Sequence, residues 1–139
     1  MFFSVFCVLY FTIELYHYYI PKLIIQPLIE NAVIHGTSQI SKKGIIAVIG
    51  STDGANLQIC VKDNGPGFSS EFLENFHLNS KQKPATSYGL YNIDKRLKLY
   101  YGDEHGLILQ NNENNGACII IRLPLDLVKE PIEKAGKLK

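Results

Sequence analysis

The sequence has no tryptophan, one methionine and only two arginines, Arg96 and Arg122. Its 14 basic and 13 acidic residues give a formal net charge of +1 at pH 7. Electrostatic binding of nucleic acid depends on clustered Lys and Arg, so this balance argues against a nucleic-acid-binding protein. The three cysteines include no CxxC pair, which argues against a disulfide scaffold or a zinc site and is typical of a reducing compartment. Cys7, Cys60 and Cys118 all lie in apolar runs, which predicts buried thiols.

The chain also lacks a long hydrophobic run. Residues 2–13 carry no charge, but a membrane helix needs about 20 apolar residues and a signal peptide needs a basic start, so no membrane contact is expected. Their Phe, Val and Tyr content favours a buried strand over Phe3–Leu9. The alternatives are the end of a membrane segment or the edge of a domain within a longer chain. The length of 139 residues predicts one domain over 1–128 and a frayed tail over 129–139.

Residues 21–36 have the pattern of an amphipathic helix that ends at Gly36. One side is apolar. The other side carries two amides, a carboxylate and an imidazole, from Gln26, Asn31, Glu30 and His35. Pro27 is expected to kink this helix or to mark its effective start.

Hairpins and further helices follow in the chain. The fold class predicted from their order is an α/β two-layer sandwich, with a mixed, mostly antiparallel sheet and helices on one face. No GxxxxGK[ST] sequence is present, which excludes a P-loop protein. The predicted elements are strands 44–50 and 57–62 joined around Asp53-Gly54, a helix capped by Ser69 or Ser70 and ending near Phe76, a polar loop 77–87, a helix 88–100 stopped by Gly102, and strands 107–110 and 117–125.

Three segments carry residues suited to binding chemistry. Asp63–Gly67 (DNGPG) follows a strand, where a shielded carboxylate can accept a hydrogen bond from an amine and glycines allow close approach of a ligand. Asn31 can offer an amide oxygen to Mg²⁺. Ser87–Asn92 opens a helix whose free N–H groups can bind phosphate. Taken singly, the first two segments are better explained by a tight turn and a solvated helix face, and an ordinary helix entry is the alternative for the third.

Taken together, their order and spacing resemble the GHKL ATP-binding family, whose fold is the Bergerat fold. The N box of that family resembles Gln26–Gly36, its first glycine box resembles Asp63–Gly67, and its second resembles Ser87–Asn92. QPLIENAVIHG and GLYNIDKRLKLYYG are similar to the catalytic domain of LytS/YesM-type sensor histidine kinases. The resemblance covers about residues 20–125.

The resemblance implies a role for each matching residue, with ATP and Mg²⁺ as cofactors. Asp63 would accept from the adenine amino group, Gly65 and Gly67 would shape the adenine and ribose end, and Asn31 would hold Mg²⁺. Gly89 and Leu90 would form the hinge of a lid over residues 77–88. The remaining site residues are Asn92 near the phosphates, His35 near the ribose and phosphates, and Glu30, which would polarise an incoming imidazole or orient a neighbour.

Four positions bear on how far the resemblance extends. Ser87 stands where the family usually has glycine, and Ile34 stands where relatives often have lysine, so nucleotide affinity is expected to be weakened. Pro27 occupies the slot that holds a water-activating Glu in the gyrase and MutL branches, which disfavours a dedicated ATPase. Arg96 fits the subgroup pattern, and pairing with an acid such as Asp94 would explain it structurally.

The resemblance also implies what the chain needs from elsewhere. Related kinases carry their phosphoacceptor histidine on an upstream dimerisation domain, and no segment here matches it. The expected partners are therefore that domain and a downstream response regulator, and the expected location is the cytoplasmic side of a membrane-bound sensor. The alternatives are another GHKL ATPase or serine kinase, or a non-catalytic module that has lost the nucleotide.

Overall fold

A computed structural model describes residues 5–10, 15, 17–37, 43–78, 88–114 and 116–130. Most of the predicted lid, including Ser87, and the tail from residue 131 lie outside the described residues. Of the helices that are described, none combines the length and apolar composition needed to cross a bilayer.

The centre of the fold is a five-stranded sheet in the order β1-β2-β3-β5-β4. β1 pairs with β2 in parallel, whereas the other three pairings are antiparallel. The predicted mixed, mostly antiparallel sheet is therefore confirmed. The strands are β1 (Val5–Tyr10), β2 (Gly44–Thr52), β3 (Asn56–Asp63), β4 (Ile108–Asn111) and β5 (Ala117–Pro124).

Alternation along the strands gives the sheet one apolar face. Alternate residues of β2, β3 and β5, such as Val48, Val61 and Ile121, are buried in the core that also contains the apolar sides of the helices. The helices therefore cover one face of the sheet, as the hairpin and helix order predicts. The helices are α1 (Lys22–Asn31), α2 (Ser70–His77) and α3 (Tyr88–Tyr101).

The local signals at the ends of these elements act as expected. Ser69 caps α2, its Oγ accepting from the Phe72 N–H at 3.1 Å. Gly102 ends α3 with a φ of 110°, a conformation that favours glycine. Asp53 closes the β2–β3 turn, its Oδ1 accepting from the backbone N–H groups of Ala55 at 3.0 Å and Asn56 at 2.7 Å.

Helix α1 begins at Lys22, one residue after the predicted start, but its α-helical part ends earlier than predicted. Pro27 lies inside the helix, so it does not mark the start. After Asn31 the chain continues as a π-helical segment, Ala32–Gly36. The sequence does not predict this segment, because a π-helical turn has no simple residue signature. Gly36 is the last residue of that segment, close to the predicted helix end.

The prediction of a buried first strand with a buried thiol is wrong. β1 is an edge strand, and Cys7, Leu9 and Tyr10 are exposed. The composition of the run is that of a strand, but burial depends on what covers the strand, which the run does not encode. Cys60 and Cys118 are buried as expected, with their Sγ atoms 2.7 Å apart on neighbouring strands.

Candidate functional site

The carboxyl group of Asp63 lies at the end of β3 and is 8% exposed. Its Oδ1 accepts two backbone hydrogen bonds, from Gly65 N–H at 2.8 Å and from Ala117 N–H at 3.2 Å. Burial raises the pKa of this carboxyl, and the two N–H donors oppose that rise. Within the described part of the chain, no group donates to Oδ2. The backbone thus fixes one oxygen and leaves the other without a donor among the described residues.

Two glycines make room for this carboxyl. A Cβ at Gly36 would lie 2.6 Å from the Cγ of Asp63, which is too close for any side chain. A Cβ at Gly65 would collide with the backbone carbonyl of Gly36. The end of the π-helical segment, the glycine loop and the carboxyl of Asp63 are therefore in direct contact. The structure brings the first two predicted boxes together at this point.

The Asp63–Gly67 loop is held from both sides. The Asn64 side chain accepts from Ile45 N–H at 2.8 Å and donates to the Lys43 carbonyl at 2.9 Å, so it ties the loop to the start of β2. Gly67 has a φ of 77°, the conformation expected of glycine in a tight turn. A loop anchored in this way keeps its backbone groups in place without a ligand.

The next residues along the chain fix the far end of the loop. The side-chain amide of Asn111, on β4, accepts from Phe68 N–H at 2.7 Å and donates to the Phe68 carbonyl at 2.8 Å. This reciprocal pair joins the loop to the second hairpin.

The polar residues of α1 lie in different environments. Asn31 is half-buried at the last position of α1, and the described residues offer its side-chain amide no hydrogen bond. Glu30 is exposed and accepts from the Gln26 side chain at 3.1 Å. His35 is exposed on the π-helical segment. Ile34, at the position where the resemblance implies a lysine in relatives, is 58% exposed.

Helix α3 begins with the residues of the second predicted box. Gly89 is exposed, and a Cβ there would meet nothing within 4 Å. Leu90 is 3% exposed and belongs to the core, so it anchors the first turn, while Asn92 is exposed. The helix itself contacts α1.

An open cavity of about 850 Å³ borders the same end of β3. Its lining combines Asp63 and Gly116 with amide side chains of the β4–β5 hairpin, among them Gln110 and Asn112. Asn31 and Gly89 do not line it.

The sequence matches the model of the family described as histidine kinase-, DNA gyrase B-, and HSP90-like ATPase over residues 20–127. The chain belongs to this ATPase family. The identification confirms the resemblance to the GHKL fold.

Several curated relatives of this ATPase domain are sensor histidine kinases. The chain is 37% identical to the sensor histidine kinase YpdA of Escherichia coli over 84 residues, and this match covers 60% of this chain and 14% of that protein. It is 32% identical over 111 residues to the sensor histidine kinase YesM of Bacillus subtilis, covering 80% of this chain and 18% of that protein. The chain therefore spans less than a fifth of the length of these two relatives.

Two solved structures with the same fold come from histidine kinases. The catalytic domain of histidine kinase ThkA superposes with a TM-score of 0.64 at 19% identity, covering 88% of this chain and 80% of that one. The histidine kinase domain of the blue-light activated kinase from Erythrobacter litoralis has a TM-score of 0.56 at 18% identity, covering 91% and 57%. These likenesses confirm the predicted fold class.

Sequence reasoning missed three residues of this ATPase domain's site. Gly36 was read as a helix end, but its main effect is the space it leaves beside Asp63. Ala117 and Gly116 come from the second hairpin and approach the carboxyl and carbonyl groups of Asp63. The available signal was two small residues, Gly116 and Ala117, at the start of β5. Their partner, Asp63, lies more than 50 residues away in the chain.

The expected pairing of Arg96 with Asp94 is wrong. Asp94 pairs with Lys98 at 2.8 Å and accepts from Leu107 N–H at 2.8 Å. Arg96 instead donates through Nη1 to the backbone carbonyl of Leu23 at 2.6 Å. On a helix, i and i+4 residues face each other, which favours Lys98 over Arg96 as the partner of Asp94.

Proposed function

We propose that this domain binds ATP with Mg²⁺ and serves as the catalytic domain of a sensor histidine kinase. The observation that carries the proposal is the carboxyl of Asp63, with Oδ1 held by two backbone N–H groups and Oδ2 free of described donors. An adenine presents an exocyclic amino group, which is the donor that such an oxygen would accept. The close packing of Gly36 and Gly65 around the carboxyl supports an acceptor held in one orientation.

The proposed roles of the other predicted site residues follow from an adenine bound at Asp63. Asn31 would offer its amide oxygen to Mg²⁺, and Gly89 and Asn92 would lie near the phosphates. The described residues contain no group of three or more His, Cys, Asp or Glu side chains that could hold a metal ion. Phosphate oxygens and water would therefore supply most of the Mg²⁺ ligands, as is usual for this ion.

The reaction proposed for the whole protein is transfer of the γ-phosphoryl group to a histidine. The bond between the γ-phosphorus and its bridging oxygen breaks, a phosphorus–nitrogen bond forms on the imidazole, and ADP leaves. The acceptor histidine would lie on a dimerisation domain of the same protein, and a response regulator would receive the phosphoryl group next. The sensor relatives favour a cytoplasmic position for this domain within a membrane-bound protein.

Nucleotide binding is tested by titrating Mg·ATP into the domain and into Asp63→Asn. The variant keeps the size of the side chain but replaces one acceptor oxygen with a donor, so affinity should fall at least tenfold. Asp103→Asn is the matched control, because Asp103 is exposed in the turn after α3. Equal affinity of Asp63→Asn and the unaltered domain would overturn the adenine assignment.

The transfer step is tested by mixing the domain with the dimerisation fragment of its parent protein and ATP. Acid-labile phosphohistidine on the fragment is the expected product. Steady release of phosphate by the domain alone, without transfer, would identify an ATP hydrolase instead. Absence of nucleotide binding would leave only a non-catalytic module.

A further inference from the structure

Helix α1 contains a gap in its backbone hydrogen bonds. An α-helix is held by bonds from each N–H to the carbonyl four residues earlier, and proline has no N–H to donate. Pro27 is the sixth residue of α1, so the carbonyl it leaves without a helical donor is that of Leu23. The proline ring also crowds that carbonyl and turns it away from the helix axis.

A side chain from α3 supplies the missing donor. Nη1 of Arg96 donates to the Leu23 carbonyl at 2.6 Å. Among the ion pairs of the described residues, Arg96 has no carboxylate partner, and its neighbour Asp94 is engaged by Lys98. The guanidinium is therefore committed to the backbone of α1 rather than to a charge.

This bond is directional, and both helices also bury apolar side chains in one core. Ile24 and Leu28 of α1 and Ile93 and Leu97 of α3 are buried in the same core. The hydrophobic effect itself is non-directional, so a hydrogen bond between two helices adds a constraint on how far one is shifted along the other. The bond to the Leu23 carbonyl fixes that shift.

We propose that Arg96 is a positioning residue, which fills the gap left by Pro27 and thereby fixes how far α1, which ends at Asn31, is shifted relative to α3, which carries Gly89. The inference rests on the proposed function, because Asn31 and Gly89 matter only if they act on one Mg·ATP. On α1, Asn31 lies about 12 Å of helix beyond Leu23. On α3, Gly89 lies about 10 Å of helix before Arg96. A shift at the bond between Arg96 and Leu23 therefore also moves Asn31 and Gly89 relative to each other.

The test uses Pro27→Ala, which restores a backbone N–H to the Leu23 carbonyl. Four proteins form a cycle: the unaltered domain, Arg96→Ala, Pro27→Ala and the double variant. Lys95→Ala is the matched control, since it removes an exposed positive charge from the same helix without touching α1. Affinity for Mg·ATP and for Mg²⁺-free adenosine is measured for each, together with the urea midpoint of unfolding.

Arg96→Ala should weaken Mg·ATP binding about tenfold while adenosine binding changes less than about twofold, because the adenine contact lies on β3. In the Pro27→Ala background the same change should weaken Mg·ATP binding less than about threefold. An equal loss in both backgrounds, or an equal loss for adenosine, would overturn the inference. A purely structural role would move the urea midpoint and both affinities together.

The two proposals fail in different ways. If the unaltered domain binds neither ligand, the proposed function fails and with it the positioning of Asn31. The urea midpoints still test the hydrogen bond itself in that case. Arg96→Ala must lower the midpoint more in the domain with Pro27 than in the Pro27→Ala variant. Independence of the two substitutions would show that Arg96 does not fill the gap left by Pro27.

Discussion

Gly36→Ala is expected to be one of the most damaging single-methyl changes in this domain. The added Cβ would lie 2.6 Å from Cγ of Asp63, 2.7 Å from Oδ2 and 2.9 Å from Oδ1. The carboxyl is buried and held by two backbone N–H groups, so it cannot move aside freely.

The magnitude follows from two costs. Overpacking a tight site by a methyl group costs about 1–3 kcal/mol. Displacing the carboxyl also breaks one of its backbone hydrogen bonds, which costs about another 1 kcal/mol. The free energy of unfolding should therefore fall by about 2–4 kcal/mol, and affinity for adenine nucleotides should fall with it.

Urea denaturation measures this loss as a lower midpoint at an unchanged slope. Gly89→Ala is the stability control, because its Cβ meets nothing within 4 Å and it lies in a helix, where alanine is favoured by about 0.5–1 kcal/mol. In the double variant Gly36→Ala/Asp63→Ala the clash is gone, so the two losses should not add. A Gly36→Ala domain within about 0.5 kcal/mol of the unaltered one would refute the reasoning.

Further predictions concern Asp63, the three cysteines and Asn64. Because burial raises the pKa of Asp63 above its usual 3.8, adenosine binding should weaken as the pH falls through that raised pKa. The effect of pH on stability has the opposite sign. The folded state binds the Asp63 proton more tightly than the unfolded state does, so the stabilisation from this proton declines as the pH rises from 3.8 to the raised pKa. Asp63→Asn should remove this dependence of stability on pH. A thiol reagent should modify exposed Cys7 in the native domain, and Cys60 and Cys118 only after unfolding; rapid native labelling of all three, followed by mass spectrometry, would contradict the burial. Asn64→Ala removes two side-chain bonds to the backbone and should cost about 1–2 kcal/mol in urea denaturation; no loss would mean that the loop is held without Asn64.

Much of the architecture was predictable because local chemistry specifies it. The Asp53-Gly54 turn, the Ser69 cap and the Gly102 stop act through bonds within a few residues, and each is where the sequence indicates. The edge position of β1 was not predictable, since strand composition resembles that of a covered strand. The order of the boxes identified the family because their spacing is a property of the chain alone.

The sequence by itself determined the elements, their turns and the family, through periodicity, capping and the order of three short segments. Only the tertiary structure decided that Gly36 lies against Asp63, that Ala117 donates to the same carboxyl, and that Arg96 serves the carbonyl freed by Pro27. These contacts join residues 27, 54 and 73 positions apart. Such partners are chosen when whole faces of helix and sheet pack together, and no local pattern records that choice.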